Sequence, residues 1–272
     1  MKYCRFLLDG HIRYGNVSER QGELWITEPV PAPAEDLSYR LAIEQSGTAS
    51  FDFAPMPLSA AHLLPPATPS KIVCVGRNYR EHVRELGNDM PSEPLIFLKP
   101  PSSLLSPDGV VRLPAISKRV DFEGELAVVI GRRTRNLAAD TNWRAVVRGF
   151  TLANDVTARD LQYHDAQWTR AKGFDTFCPL GPIVSDELDL DKGLTIETRV
   201  NGQARQHAST VDFIFSLSTL LGFIAATFTL EPGDLVLTGT PSGVGPLNPG
   251  DRVEVSILGL GVLKNTVEPD TP

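Results

Sequence analysis

The chain is short of cysteine, of long apolar runs and of positive charge, and each deficit removes a class of protein. Cys4, Cys74 and Cys178 are odd in number, widely spaced and without a Cys-x-x-Cys pair. They read as reduced thiols in a reducing compartment, not as a disulfide framework or zinc ligands. No stretch reaches the ~18 apolar residues of a membrane-spanning helix. The opening MKYCRFLLDGHIRYG is broken by Asp9, His11 and Arg13 before a signal-peptide core can form. A cytoplasmic protein with no membrane partner is expected. Lys and Arg number 26 against 33 Asp and Glu, a formal charge of -7, which argues against a nucleic-acid partner and for small metabolites. Internal repeats, low-complexity tracts and charge blocks are also missing, so no solenoid or interaction tail is indicated.

What the chain does have is apolar content, at 42%, enough for a sizeable core. Residues 3–26 alternate apolar and polar around Asp9-Gly10 and Gln21-Gly22, predicting two or three short antiparallel strands. Residues 54–70 carry five prolines and predict an irregular linker. The expected organisation is a small β-rich N-terminal domain with its linker over 1–66 and a catalytic domain over 67–272. Beyond the linker, 71–75 reads as a strand and 79–86 as two helical turns, followed by turn-rich 87–94, which reads equally as a lid or a plain surface loop. Strands are predicted over 126–130 and 148–154, and a helix over 157–167 with Thr157 or Asp155 as its N-cap. Asn201-Gly202 marks a hairpin, 213–228 a buried helix, and DLVLTG, DRVEVSILG and GVLKNTV further strands. The fold class is a strand-rich α+β.

In VDFEGELAVVIG the two-residue period of a strand points Glu123 and Glu125 the same way, with Leu126, Val128 and Ile130 opposite. Two carboxylates on one side call for a proton or a cation, and hard divalent ions take oxygen ligands of this type. Taken alone, the pair is better explained as a solvated strand face. Asp155 supplies a third acid where an apolar run meets a helical one, although an N-cap explains it locally. GRNYREHVREL sets His82 and Glu85 three apart, neighbours on a helix and a candidate base dyad; a solvated surface histidine is the plainer alternative. Arg159 and Gln162 follow Asp155 at helical spacing and suit a carboxylate-bearing ligand, or form an ordinary exposed face. Lys172 precedes a turn-rich segment where most lysines are solvated. The glycine-rich LTGTPSGVG lacks a P-loop ending, so a turn contacting substrate through Thr240 backbone or hydroxyl is expected there. His11, His62, His164 and His207 have no comparable partner spacing.

Together KIVCVGRNYREH, EPLIFLKP, VDFEGELAVVIG, ANDVTARDLQ, WTRAKGFDTFCPLGP, VNGQARQ and LEPGDLVLTGTPSGVGPL resemble the fumarylacetoacetate hydrolase family in order and wording, from 71 to about 267. RFLLDGHIRYG resembles the small leading domain of its short bacterial members. The resemblance implies a mixed β-roll, a homodimer, and Mg2+ or Mn2+ on Glu123, Glu125 and Asp155. It also implies a catalytic His82–Glu85 pair on a segment that orders over substrate, and a pocket lined by Arg159, Gln162, Lys172 and Thr240. Fumarylacetoacetate hydrolase proper has a further metal-binding Asp before its histidine, whereas VCVGRNYREH holds no acid before Glu81. The chain therefore resembles the three-carboxylate branch of acylpyruvate and fumarylpyruvate hydrolases, oxaloacetate decarboxylases or tautomerases, and isomerases of homoprotocatechuate breakdown. The expected reaction is hydrolysis of a C–C bond in an acylpyruvate, with His82 activating water and Lys172 stabilising the enolate. Decarboxylation, tautomerisation or isomerisation of a related 2-oxo acid, a zinc hydrolase, and a non-catalytic metal-binding protein are the alternatives.

Overall fold

The computed structural model describes residues 1–37, 39, 53–138 and 142–270. Among these residues the chain is strand-rich, with short helices between strands. Asp9-Gly10 and Gln21-Gly22 all adopt positive φ, the backbone of a two-residue turn whose twist matches its flanking strands. They join Lys2–Leu8, His11–Arg20 and Glu23–Pro29 into a meander, Leu8 opposite His11 and Arg20 opposite Glu23.

This meander continues the main sheet. Lys2 pairs with Ser185 and Tyr3 with Val184 at the end of strand Cys178–Ser185. From there the sheet runs through Val147–Asn154, Gly124–Ile130, Leu235–Leu237 and Ile72–Gly76 to Leu95–Lys99. Strands Gly124–Ile130 and Cys178–Ser185 are buried at every position, so apolar residues occupy both faces over 126–130 and through most of 178–184. Cys4, Phe6, Val17 and Ile26 share one apolar cluster with Leu126, Val128, Ile183 and Leu221. A five-stranded sheet packs nearby, its hairpin Thr195–Val200/Gln203–Ser209 turning at Asn201-Gly202, both at positive φ.

The α-helices whose bounds are described are α1 (Arg80–Glu85), α2 (Arg159–His164), α3 (Thr169–Lys172) and α4 (Leu217–Thr227). α4 begins later than the apolar run suggests, because the Ser216 hydroxyl accepts the Thr219 amide and caps it there. α2 is much shorter than the predicted 157–167. Thr157 and Ala158 are taken into a strand opposite Asp121 and Val120, and the cap position falls on Ala158, without a side-chain cap. Asp155 is thus not a helix cap, and its carboxylate is available elsewhere.

Candidate active site

The register of the main sheet builds the site. Gly124 pairs with Asn154, so the residues just beyond these two partners, Glu123 and Asp155, are neighbours, and the Asp155 amide donates to the Glu123 carbonyl at 2.8 Å. Glu125 lies one strand period on from Glu123. The glycine between them is required: a Cβ at Gly124 would lie 2.1 Å from Thr198 Oγ1. All three carboxylates are buried, with ligand oxygens within 4.8 Å of one another.

Buried cations hold the acids in place. Lys172 Nζ donates to Glu123 Oε2 at 2.8 Å and Asp155 Oδ2 at 2.6 Å, and lies 4.8 Å from the centroid of the Phe97 ring. Arg159 Nη2 donates to Glu123 Oε1, its Nε to Asp121 Oδ2 at 3.0 Å, and its Nη1 to Gln162 Oε1 at 2.6 Å. Arg159 therefore pairs with Asp121 and Glu123 and not with the sequence-near Asp155. Burial alone would raise the Glu123 pKa, but Lys172, then Arg159, outweigh it and hold it at about 2. Burial lifts Glu125 well above the carboxylate range, reinforced by the charges of Asp155 and Glu123. Burial opposes the charge on Lys172, yet Asp155 and Glu123 raise its pKa above the ordinary lysine value.

The residues present fit a hard cation. Three carboxylates form an oxygen-only donor set. Asp155 Oδ1 is buried and accepts no hydrogen bond, although Lys99 Nζ stands 2.8 Å from it.

Across the cavity, His82 Nδ1 lies 3.2 Å from Glu85 Oε2 on α1, and the Gly243 amide donates to Glu85 Oε1 at 3.0 Å. Burial lowers the His82 pKa, with Glu123 and Glu85 opposing in part, so the imidazole is neutral at neutral pH. The cavity is about 250 Å3. Every sequence-selected site residue lines it except Glu85, which stands behind His82. The Thr240 hydroxyl is committed inward, donating to the Gly124 carbonyl at 2.9 Å and accepting from Gln206 Nε2 at 2.7 Å.

Several residues escaped the sequence reading. Arg77, Phe97, Tyr163 and Trp168 also line the cavity. Gly239 donates its amide to Glu125 Oε2 at 2.7 Å from φ 99°, where an added Cβ would lie 2.9 Å from Asn78 Cβ. Lys99 is buried beneath Asp155, donating to the carbonyls of Lys172 and, at 3.2 Å, Val156. A signal for it existed: Phe97 and Lys99 share a strand face, and a lysine on the inward face of LIFLK has no solvent to reach. Lys99→Met breaks a buried ion pair, which costs roughly 3–5 kcal/mol. The unfolding midpoint should fall by roughly 6–20 °C; a differential scanning calorimetry shift below about 2 °C, well under this scale, would contradict the pairing.

The model of the fumarylacetoacetate (FAA) hydrolase C-terminal region matches residues 71–268. The chain belongs to the fumarylacetoacetate hydrolase family. A family member, the mitochondrial oxaloacetate tautomerase FAHD2A of Bos taurus, is 44% identical over 224 residues, covering 78% of this chain and 71% of that protein. The 2-hydroxyhepta-2,4-diene-1,7-dioate isomerase of Mycobacterium marinum has the same fold, with a TM-score of 0.84 at 38% identity over the whole of both chains. The fumarylpyruvate hydrolase of Pseudomonas aeruginosa, solved in complex with Mn2+ and pyruvate, matches with a TM-score of 0.68 at 30% identity. It covers 76% of this chain and 91% of that one. The strand-rich α+β roll is thus the family fold, and the named members are a tautomerase, an isomerase and a hydrolase.

Proposed function

We propose that this family member is a Mg2+- or Mn2+-dependent enzyme that works through the enolate of a small 2-oxo acid, hydrolysing a C–C bond in an acylpyruvate-type 2,4-dioxo acid. The reading is carried by one arrangement: a buried carboxylate trio and His82, backed by Glu85, on the same small cavity. Glu123, Glu125 and Asp155 would hold the cation, which when bound supplies Lewis-acid polarisation of the substrate's 2-oxo and carboxylate oxygens.

The chain's own groups supply the other roles. Neutral His82, oriented through Nδ1 by Glu85, takes a proton from water as its oxygen adds to the distal carbonyl. The C–C bond then breaks, its electron pair passes into a pyruvate enolate, and the proton held on His82 returns to carbon. Lys172 has three N–H groups, two of them on Glu123 and Asp155, and the third can donate to the developing oxyanion. Gln162 fixes the substrate's polar groups and Arg159 fixes Gln162. Thr240 contacts substrate through its backbone, since its hydroxyl proton is engaged elsewhere. Segment 87–94, whose Asn88 lines the cavity, would act as the lid, and the working unit would be a cytoplasmic homodimer.

A second reading, oxaloacetate tautomerisation, draws on the 44% identity to the bovine tautomerase and needs the same enolate without water addition. A panel of acylpyruvate, fumarylpyruvate, oxaloacetate and 2-hydroxyhepta-2,4-diene-1,7-dioate with added Mg2+ or Mn2+ separates them. Cleavage of a dioxo acid, lost with chelator and restored by Mn2+, is the expected result. Keto–enol exchange of oxaloacetate without any cleavage would select the second reading, and inertness toward all four would reject both.

A further inference from the structure

Gln206 lies on Gln203–Ser209, the outermost strand of the five-stranded sheet, between exposed Arg205 and His207. Strand alternation turns it inward, and it is 1% exposed. A buried amide must find partners for both ends. Gln206 Oε1 accepts the Gly124 amide at 3.0 Å, and Nε2 donates to Thr240 Oγ1 at 2.7 Å and to the Pro241 carbonyl at 2.8 Å. Thr240 Oγ1 returns a bond to the Gly124 carbonyl. Gly124, Gln206 and Thr240 thus close a ring of hydrogen bonds around the one residue separating Glu123 from Glu125.

The same loop reaches both halves of the site. Gly239 donates to Glu125, and Gly243 donates to Glu85, the partner of His82. Gly243 in turn sits against the residue preceding Gln206, where an added Cβ would lie 2.0 Å from the Arg205 carbonyl oxygen. Gln206 does not line the cavity.

We propose that Gln206 is a positioning residue: its amide locks loop 239–243 to the strand bearing Glu123 and Glu125, setting cation affinity and turnover without touching substrate. This inference rests on the metal-and-dyad reading above. Residues that orient metal ligands from behind typically change affinity or activity by about 10–100-fold when lost.

Q206E and Q206M keep side-chain length and packing but remove Nε2 as a donor, Q206E so long as its carboxylate is ionised. V253A, at a buried apolar site in the same sheet that takes no part in the hydrogen-bonded ring, supplies the control for general loss of stability. Mn2+ dissociation constants should weaken about 10–100-fold in both Gln206 variants and stay near the wild-type value in V253A. Turnover should fall by about tenfold or more while KM moves much less. Mn2+ affinity within about twofold of wild type in either folded variant, or an equal loss in V253A, would overturn the proposal. Should the wild-type chain bind no Mn2+, the carboxylate reading fails on its own. Gln206 is then judged by amide hydrogen exchange, which should accelerate at 123–125 and 239–243 in Q206E but not in V253A; unchanged exchange there rejects it.

Discussion

Asp155→Asn and Glu125→Gln are both expected to lower turnover by about three orders of magnitude, the several kcal/mol that a bound cation contributes, yet to move the stability of the chelated protein in opposite directions. Asp155 receives Lys99 and Lys172, and removing its charge leaves buried ammonium groups short of a partner, a loss of roughly 3–5 kcal/mol. Among the described residues Glu125 makes no ion pair with a lysine or arginine, and it accepts the Gly239 amide, which a glutamine oxygen also accepts. Its folded-state pKa stands well above 4.5, because burial and the two neighbouring carboxylates disfavour the charge. A group raised in this way adds stability below its unfolded pKa and loses it as pH rises through the folded value. With chelator present, Glu125→Gln should therefore gain on the wild type as pH increases from about 4.5 toward neutrality. Glu123 runs the other way: its stabilisation is complete above 4.5 and is lost as pH falls toward 2. Calorimetry at about pH 3, 5 and 8 with chelator, beside a Mn2+ titration, checks all of this. A Glu125→Gln protein as destabilised as Asp155→Asn would show that Glu125 is not the strained member of the trio.

His82→Ala should lower acylpyruvate cleavage by about 10^2–10^4-fold, the usual contribution of a positioned base, with a smaller change in KM. Glu85→Ala should lose a large part of that, since Glu85 orients the ring through Nδ1 and is itself fixed by the Gly243 amide. Because burial lowers the His82 pKa from 6.5, the acid limb of the wild-type kcat/KM profile should fall below that value. Oxaloacetate decarboxylation needs no activated water and can survive the same substitutions. Full acylpyruvate cleavage in both variants would remove the dyad from the mechanism.

The carboxylates were legible in the sequence for a local reason and a non-local one. Strand alternation put Glu123 and Glu125 on one side; motif order joined them to Asp155. What a sequence does not display is register, and it is the pairing of Gly124 with Asn154 that makes Glu123 and Asp155 neighbours. The N-cap explanation of Asp155 failed for the same kind of reason, since strand pairing with Val120 and Asp121 overrode the helical tendency of residues 157–158. Asp121 and Gln206 stayed hidden because the partners that tie them to the site, Arg159 and Gly124, lie 38 and 82 residues away. The hairpin turns were plain, since a two-residue turn with positive φ has few possible residues.

The continuity of the N-terminal meander with the main sheet bears on how the sheet's edge is protected from pairing with another chain's strand. Strand Cys178–Ser185 is apolar and wholly buried, and its Val184–Ser185 end is hydrogen-bonded by Lys2 and Tyr3. Without the first thirty or so residues that end would be an open template for another chain's strand. The outer margin becomes instead the two-residue strand Met56–Pro57 beside Glu23–Pro29, where brevity and proline discourage further pairing. The leading segment thus covers an edge that would otherwise be open to edge-to-edge pairing, and none of its residues lines the cavity.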